Sequence, residues 1–162
     1  MRGAFTGTSR ISRIAVFACA FAASAGPLGA SWAQSVPRIV ELTQVPCQFL
    51  ESEGVDRGYQ SRSIKDCEAI NAKTGDERVA QAKHLELKSG KYVFRVTNRN
   101  VPYELGFWLR GASTIGRVTL PSVSGGGITR GGHRDYPIEL KAGEYVDSCP
   151  LNNTPDYRLV VK

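Results

Sequence analysis

The sequence has 162 residues, 41% of them hydrophobic, with 21 Lys and Arg against 15 Asp and Glu. Its formal net charge of +6 overstates the basicity, because Arg2, Arg10 and Arg13 fall in an expected export signal. Without a clustered Lys/Arg run, this mild positive charge is typical of a solvated surface and disfavours nucleic-acid binding.

Residues 1–33 have the pattern of a cleavable signal peptide. A positive start is followed by an apolar stretch at 14–25, and residues 31–33 offer small side chains at the two positions that a signal peptidase reads. We expect cleavage before Gln34, a periplasmic or secreted location, and no membrane insertion afterwards, since a bilayer span needs about 20 apolar residues. A lipid anchor at Cys19 is the less favoured alternative.

Export implies an oxidising compartment, in which cysteines tend to pair. Cys47, Cys67 and Cys149 follow the signal peptide, so one of the three must be left over. Residues 48–66 have little periodicity, so this segment needs a covalent constraint to hold it in place. We therefore expect a Cys47–Cys67 disulfide, which would stabilise the fold by about 3 kcal/mol, and a free Cys149. The alternative pairs Cys149 with one of the other two and makes it purely structural.

The first part of the mature chain alternates strand signals with one helix-prone stretch. Residues 66–83 are expected to form one or two short helices inserted after the first strand. Strand patterns, bounded by turn residues, occur at 37–44, 85–87, 92–97, 103–109 and 117–120.

A second copy of residues 85–93 follows at 138–146, and both copies predict a strand, a tight Gly turn and a strand. The run from Tyr145 ends at Cys149-Pro150, and a polar loop precedes a last strand at 157–161. On this run the period of two places Asp147 and Cys149 on one face. Seven or eight short strands indicate an all-β, antiparallel Greek-key β-sandwich in a single domain, 34–162, with a short helical insertion after the first strand.

The glycine-rich segment 124–133 is the other conspicuous pattern. It does not fit a phosphate-binding loop, because no helix follows it and it has no Gly-Lys-Ser/Thr. We therefore expect a loop between the two sheets.

The cysteine that closes a strand, the short loop and the terminal strand resemble the C-terminal end of the cupredoxins. In cupredoxins this loop carries a cysteine, a histidine and usually a methionine that hold blue copper. Here Asn152 stands where the histidine is expected and Tyr157 where the methionine is expected, and Tyr103 replaces the other histidine. Since blue copper needs two imidazoles beside the thiolate, the sequence predicts no ordinary type 1 site.

The chain from 85 to 162 resembles more closely the histidine-poor cupredoxin-like domains of secreted bacterial proteins, such as periplasmic iron-uptake modules. The matching residues are Glu104, the run 140–145 and Cys149. The resemblance implies that Tyr103, Glu104 and Cys149 meet at one end of the sandwich, as a mixed ligand set for copper or ferric iron. Asp147 is expected either to join this site or to pair with an arginine such as Arg110.

Three functions follow from these observations, none of them enzymatic, because no nucleophile or zinc-protease motif is present and His84 and His133 lie in unrelated contexts. The first is a periplasmic protein that binds or passes on copper or iron. The second is a metal-free sandwich that serves as an accessory module and recognises a protein partner in the envelope. The third, electron transfer through type 1 copper, is disfavoured by the missing histidines.

Overall fold

The computed structural model describes residues 36–162, together with Met1, Gly3, Ala4 and Gly7. The expected signal peptide, its cleavage before Gln34 and the alternative anchor at Cys19 lie outside the described residues. In the part of the chain that is described, no helix combines the length and the apolar character that a membrane span requires.

Two facing sheets make up the described chain, which confirms the predicted β-sandwich. The strands are β1 (Arg38–Val45), β2 (Gln48–Phe49), β3 (Leu85–Leu87), β4 (Gly90–Asn98), β5 (Leu105–Gly111), β6 (Val123–Ile128), β7 (His133–Leu140), β8 (Gly143–Ser148) and β9 (Tyr157–Val161). The first sheet has the order β2-β1-β4-β7 and the second has the order β3-β9-β8-β5-β6. Neighbouring strands are mostly antiparallel, but β1 runs parallel to β4 and β3 runs parallel to β9, so both sheets are mixed.

The predicted insertion after the first strand is confirmed. It contains a single turn, α1 (Leu50–Glu53), and an 18-residue helix, α2 (Ile64–Gln81), which continues through Gly75. Asp66 caps the start of α2, because its carboxylate accepts the backbone N–H of Ser63 at 2.9 Å. The predicted disulfide between Cys47 and Cys67 ties α2 to the end of β1.

The sequence repeat predicted two hairpins with Gly turns. The turns are present, but the strands that they join do not pair with each other. The turn between β3 and β4 and the turn between β7 and β8 each carry the chain from one sheet to the other, so their strands do not pair. In both corners a tyrosine hydroxyl donates to the carbonyl four residues earlier, Tyr92 to Lys88 and Tyr145 to Lys141, each at 2.9 Å. The sequence repeat therefore specifies a corner of the sandwich, resembling the tyrosine corner of other sandwiches.

Two further predictions of local structure are wrong. Residues 117–120, expected as a strand, belong mostly to the helix α3 (Thr114–Thr119), which begins where the Ser113 hydroxyl accepts the N–H of Gly116 at 3.0 Å. Much of the glycine-rich segment, expected as a loop, is the strand β6, which pairs with β5. Tertiary pairing thus overrides the low strand propensity of its three glycines.

Aromatic rings join the two sheets at the centre of the core. Phe107 of the second sheet lies 5.7 Å from Phe94 and 5.1 Å from Tyr136 of the first sheet, measured between ring centroids. Phe49 packs edge-on against both Phe107 and Tyr157. Such pairs add about 0.5–1.5 kcal/mol each beyond the burial of their area.

Candidate functional site

Cys149 follows the end of β8 and is fully buried as a free thiol. Its Sγ accepts two backbone N–H groups, from Gly106 and from Asn152, each at 3.3 Å. Burial raises the pKa of the Cys149 thiol, although these two hydrogen bonds lower it in part. The sulfur is therefore a protonated, hydrogen-bonded group in the core at neutral pH.

Two buried carboxamides, which we call the amide network, lie beside this sulfur. Gln44, on β1, donates from Nε2 to the carbonyl of Gly106 at 2.8 Å. Its Oε1 accepts from Nδ2 of Asn152 at 3.3 Å, and the same Nδ2 donates to the carbonyl of Val45 at 2.9 Å. Both side chains have no exposed surface. The amide network thus links the two sheets next to Cys149.

The disulfide and Tyr103 complete this end of the sandwich. Oδ1 of Asn152 accepts the N–H of Cys47 at 2.9 Å and contacts Sγ of Cys67 at 3.5 Å. The hydroxyl of Tyr103 lies 3.7 Å from the same sulfur and is hydrogen-bonded to the Ser61 hydroxyl. Burial raises the pKa of Tyr103. Tyr103 and Cys149 are therefore at the same end of the sandwich, on either side of Asn152 and the disulfide.

Glu104 is exposed and has a different partner. Its Oε1 accepts the backbone N–H of Gly127, on β6, at 2.9 Å. The neighbouring β6 carbonyls of Gly125 and Gly126 accept from Tyr136 and Arg134 of β7. These three side chains thus pair with backbone groups of β6. In this structure Glu104 binds the β6 backbone where the pairing of β5 and β6 changes register.

Asp147 shares a strand face with Cys149, as predicted, but its carboxyl group lies in a different environment. The side chain is 3% exposed and its Oδ2 has no hydrogen-bond partner among the described residues. Burial, and then the charge of Asp156, raise the pKa of Asp147 to about 7. The alternative pairing with Arg110 is not formed, because Arg110 binds Asp156 at 2.7 Å instead.

These positions bear directly on metal binding. Among the described residues, no three His, Cys, Asp or Glu side chains are grouped so that they could hold an ion. His133 is exposed at the start of β7, and His84 borders the pocket that contains Asp147. The donors beside Cys149 are carboxamides and a phenol, which do not fit the imidazole pair of a type 1 copper site. The ligand set Cys149, Glu104, Tyr103 and Asp147 stays a prediction.

Gln44 is the functional-site residue that sequence reasoning missed. A signal for it exists, since the period of two places Gln44 on the same face of β1 as Val40 and Leu42. Leu42 is buried and Val40 packs against the core. A polar side chain at the end of an inward face predicts a buried hydrogen-bond partner.

No family model matches the sequence, and no curated protein matches it. Among solved structures, the chain is similar to cupredoxins. Auracyanin B matches at 11% identity with a TM-score of 0.49, covering 80% of this chain and 92% of its own. An oxidized mutant of amicyanin matches at 17% identity with a TM-score of 0.34, covering 51% and 71%. A reduced Cu(I) amicyanin mutant matches at 18% identity with a TM-score of 0.33, covering 49% and 69%.

Proposed function

We propose that this protein is an exported, non-catalytic β-sandwich that works without a metal and serves as an accessory module by binding another protein of the cell envelope. The observation that carries the proposal is the amide network of Gln44 and Asn152. It occupies the space beside Cys149 in which further ligands of an ion would stand.

Every polar atom of these two carboxamides is engaged. Gln44 donates and accepts once each, while Asn152 accepts from Cys47 and donates to Gln44 and Val45. An ion that displaced either carboxamide from its place beside the Cys149 sulfur would break buried hydrogen bonds. Each buried group left unpaired costs about 1–3 kcal/mol. The network therefore favours a role for Cys149 in holding the core together.

The disulfide supports the exported location. Bonds of this kind persist in oxidising compartments and are rare in the cytosol. The Cys47–Cys67 bond joins the turn after β1 to α2, so it belongs to the framework of the fold. We therefore retain the periplasm or the exterior as the proposed location, together with cleavage of residues 1–33.

A partner of apolar character suits the surface near Cys149. Trp108 and Leu151 are large apolar side chains that remain 37% and 41% exposed. Together with Pro150 and the glycines of β6 they line a shallow pocket of about 300 Å³. Aromatic anchors in such pockets often dominate protein–protein binding. We propose that one apolar side chain of an envelope protein occupies this pocket.

One observation favours the competing proposal, a copper or iron site on Cys149 and Tyr103 with Glu104 and Asp147. Two backbone N–H groups point at the Cys149 sulfur, and such donors stabilise a thiolate once it forms. This proposal requires the amide network to rearrange when the ion binds.

Elemental analysis separates the two proposals. The wild-type protein is exposed to copper and to iron under reducing and oxidising conditions and desalted, beside Cys149→Ser and the matched surface change Ser89→Ala. Sub-stoichiometric metal in all three supports the metal-free module. Stoichiometric metal in the wild type and in Ser89→Ala, absent from Cys149→Ser, would overturn it and establish the ion site.

The binding surface has its own test. Site-specific crosslinking from the pocket in envelope extracts is expected to give one defined adduct, which Trp108→Ala and Leu151→Ser reduce at least tenfold. Ile39→Ser, which changes a 55% exposed side chain elsewhere on the sandwich, should leave the adduct unchanged. Equal loss in all three variants would refute the assignment of the surface.

A further inference from the structure

A second pocket lies beside α1, where β1 of the first sheet faces β3 and β9 of the second sheet. We call it the Asp147 pocket. Its volume is about 280 Å³. Val40, Leu42 and Leu85 supply apolar walls, and Asp147 and Ser52 are buried members of its lining. It is a pocket with aliphatic sides and a single deeply buried carboxyl group.

Asp147 lacks the partner that such a group needs. The carboxyl is almost completely removed from water, and its Oδ2 has no hydrogen-bond donor among the described residues. A buried polar atom without a partner costs free energy, so a native structure that keeps one calls for an explanation. A ligand that donates a hydrogen bond from within the pocket would supply the missing partner.

The surrounding charges favour a positive ligand. Asp156 and Glu51 both act on Asp147 with the same sign of charge, whereas Arg110 offsets them only in part. Arg110 is itself bound by Asp156, which weakens its effect on Asp147. Lys83, His84 and Arg158 also border the pocket, but all three are exposed, and Arg158 pairs with Glu144. The buried part of the pocket therefore becomes negative when Asp147 ionises, and a positive ligand favours that ionised form.

We propose that the Asp147 pocket binds a small organic cation, whose ammonium group donates to Oδ2 of Asp147 and whose aliphatic part packs on Val40, Leu42 and Leu85. A divalent metal fits less well. Calcium takes six to eight oxygen ligands, and the described residues group no three acidic or other ligating side chains here. Apolar walls with one fixed polar contact are instead typical of sites for small organic molecules.

The site is separate from the surface proposed for protein binding. Its lining shares no residue with the pocket of Trp108 and Leu151, and it does not use the sulfur of Cys149. The inference therefore stands or falls independently of the proposed function.

An NMR titration of the isotope-labelled protein tests the inference, with n-butylammonium as the probe. The comparison ligands are n-butanol, which has the same butyl chain without the positive charge, and butyrate, a four-carbon anion. Asp147→Asn removes the carboxylate, and Glu139→Gln makes the matched change at an exposed acid of β7. The amide spectrum of each variant also reports whether it is folded.

We expect saturable shifts of the Leu42, Leu85 and Asp147 amides with n-butylammonium in the wild type and in Glu139→Gln. Binding should be at least tenfold weaker in Asp147→Asn, and n-butanol and butyrate should bind at least tenfold more weakly than the amine. The inference is overturned if the wild type shows no saturable shift, if Asp147→Asn binds as tightly as the wild type, or if n-butanol binds as well as n-butylammonium.

Discussion

Asp147→Asn should stabilise the protein, and increasingly so as the pH rises. The carboxyl of Asp147 has its pKa raised from the usual 3.8 to about 7, chiefly by burial. The folded state therefore holds the Asp147 proton more tightly than the unfolded state. Above pH 3.8 the unfolded chain ionises this group freely while the folded chain resists, so stability falls as the pH rises from about 3.8 and levels off above about 7.

The magnitude follows from the size of the shift. Each pKa unit corresponds to 1.36 kcal/mol, so a change from 3.8 to about 7 amounts to about 4 kcal/mol. Asparagine has nearly the same shape and stays neutral at every pH. The free energy of unfolding of Asp147→Asn, minus that of the wild type, should therefore grow by about 4 kcal/mol between about pH 4 and about pH 8.

Urea denaturation at a series of pH values measures this difference directly. Titrating groups remote from Asp147 contribute equally to both proteins and cancel. Glu139→Gln, at an exposed position, should follow the wild type at every pH. If the curves for Asp147→Asn and the wild type run parallel, the carboxyl titrates as in water, and the reasoning from its burial is wrong.

Three further predictions concern the framework of the fold. Arg78→Met should cost about 3 kcal/mol in urea denaturation, because the Glu53 carboxylate, 1% exposed, loses its buried ion-pair partner and keeps only the partly exposed Arg57; a cost below about 1 kcal/mol would contradict this. Gly75→Ala should raise the stability by about 0.5–1 kcal/mol, since the new methyl carbon meets nothing nearer than 3.8 Å within α2; a lower melting temperature would refute it. Reduction of the Cys47–Cys67 bond should cost about 3 kcal/mol, visible as a lower urea midpoint after reductant treatment, and an unchanged midpoint would show that the bond does not constrain the unfolded chain.

The sequence was informative where a pattern has one physical meaning. Alternating apolar residues predicted most strands, and the three cysteines of a chain expected to be exported, with the aperiodic segment 48–66 between two of them, predicted the Cys47–Cys67 bond. It was uninformative where two structures share one pattern. A Gly turn between two β-prone runs describes both a hairpin and a corner, and only the facing sheet decides between them.

The failures at β6 and α3 have different origins. The glycines of β6 have little strand propensity, but β5 pairs with them, and side chains of Tyr136, Arg134 and Glu104 bind their backbone groups. These partners are not visible from the local sequence of β6. At α3 a strand was expected at 117–120, whereas the Ser113 cap starts a helix. This cap is local, so residues 113–116 carry a helix signal that the strand prediction did not use.

The sequence predicted where in the sandwich some residues of the candidate site lie, but not which groups they contact. The resemblance led us to expect Tyr103 and Cys149 at one end of the sandwich, and both lie there. It also suggested Glu104 as a neighbour of that sulfur, and the period of two along the strand suggested Asp147. The period of two along a strand predicts which face of the sheet a side chain lies on. It does not predict which donor a carboxylate binds, and Glu104 binds the backbone N–H of Gly127.

The position of β9 affects the order in which this domain folds. Although it is the last described strand in the chain order, β9 lies between β3 and β8 and pairs with both. Until residues 157–161 join the second sheet, β3 has no neighbouring strand and β8 presents an open edge. The second sheet therefore closes late, and a folding intermediate without β9 exposes strand edges that can pair with other chains.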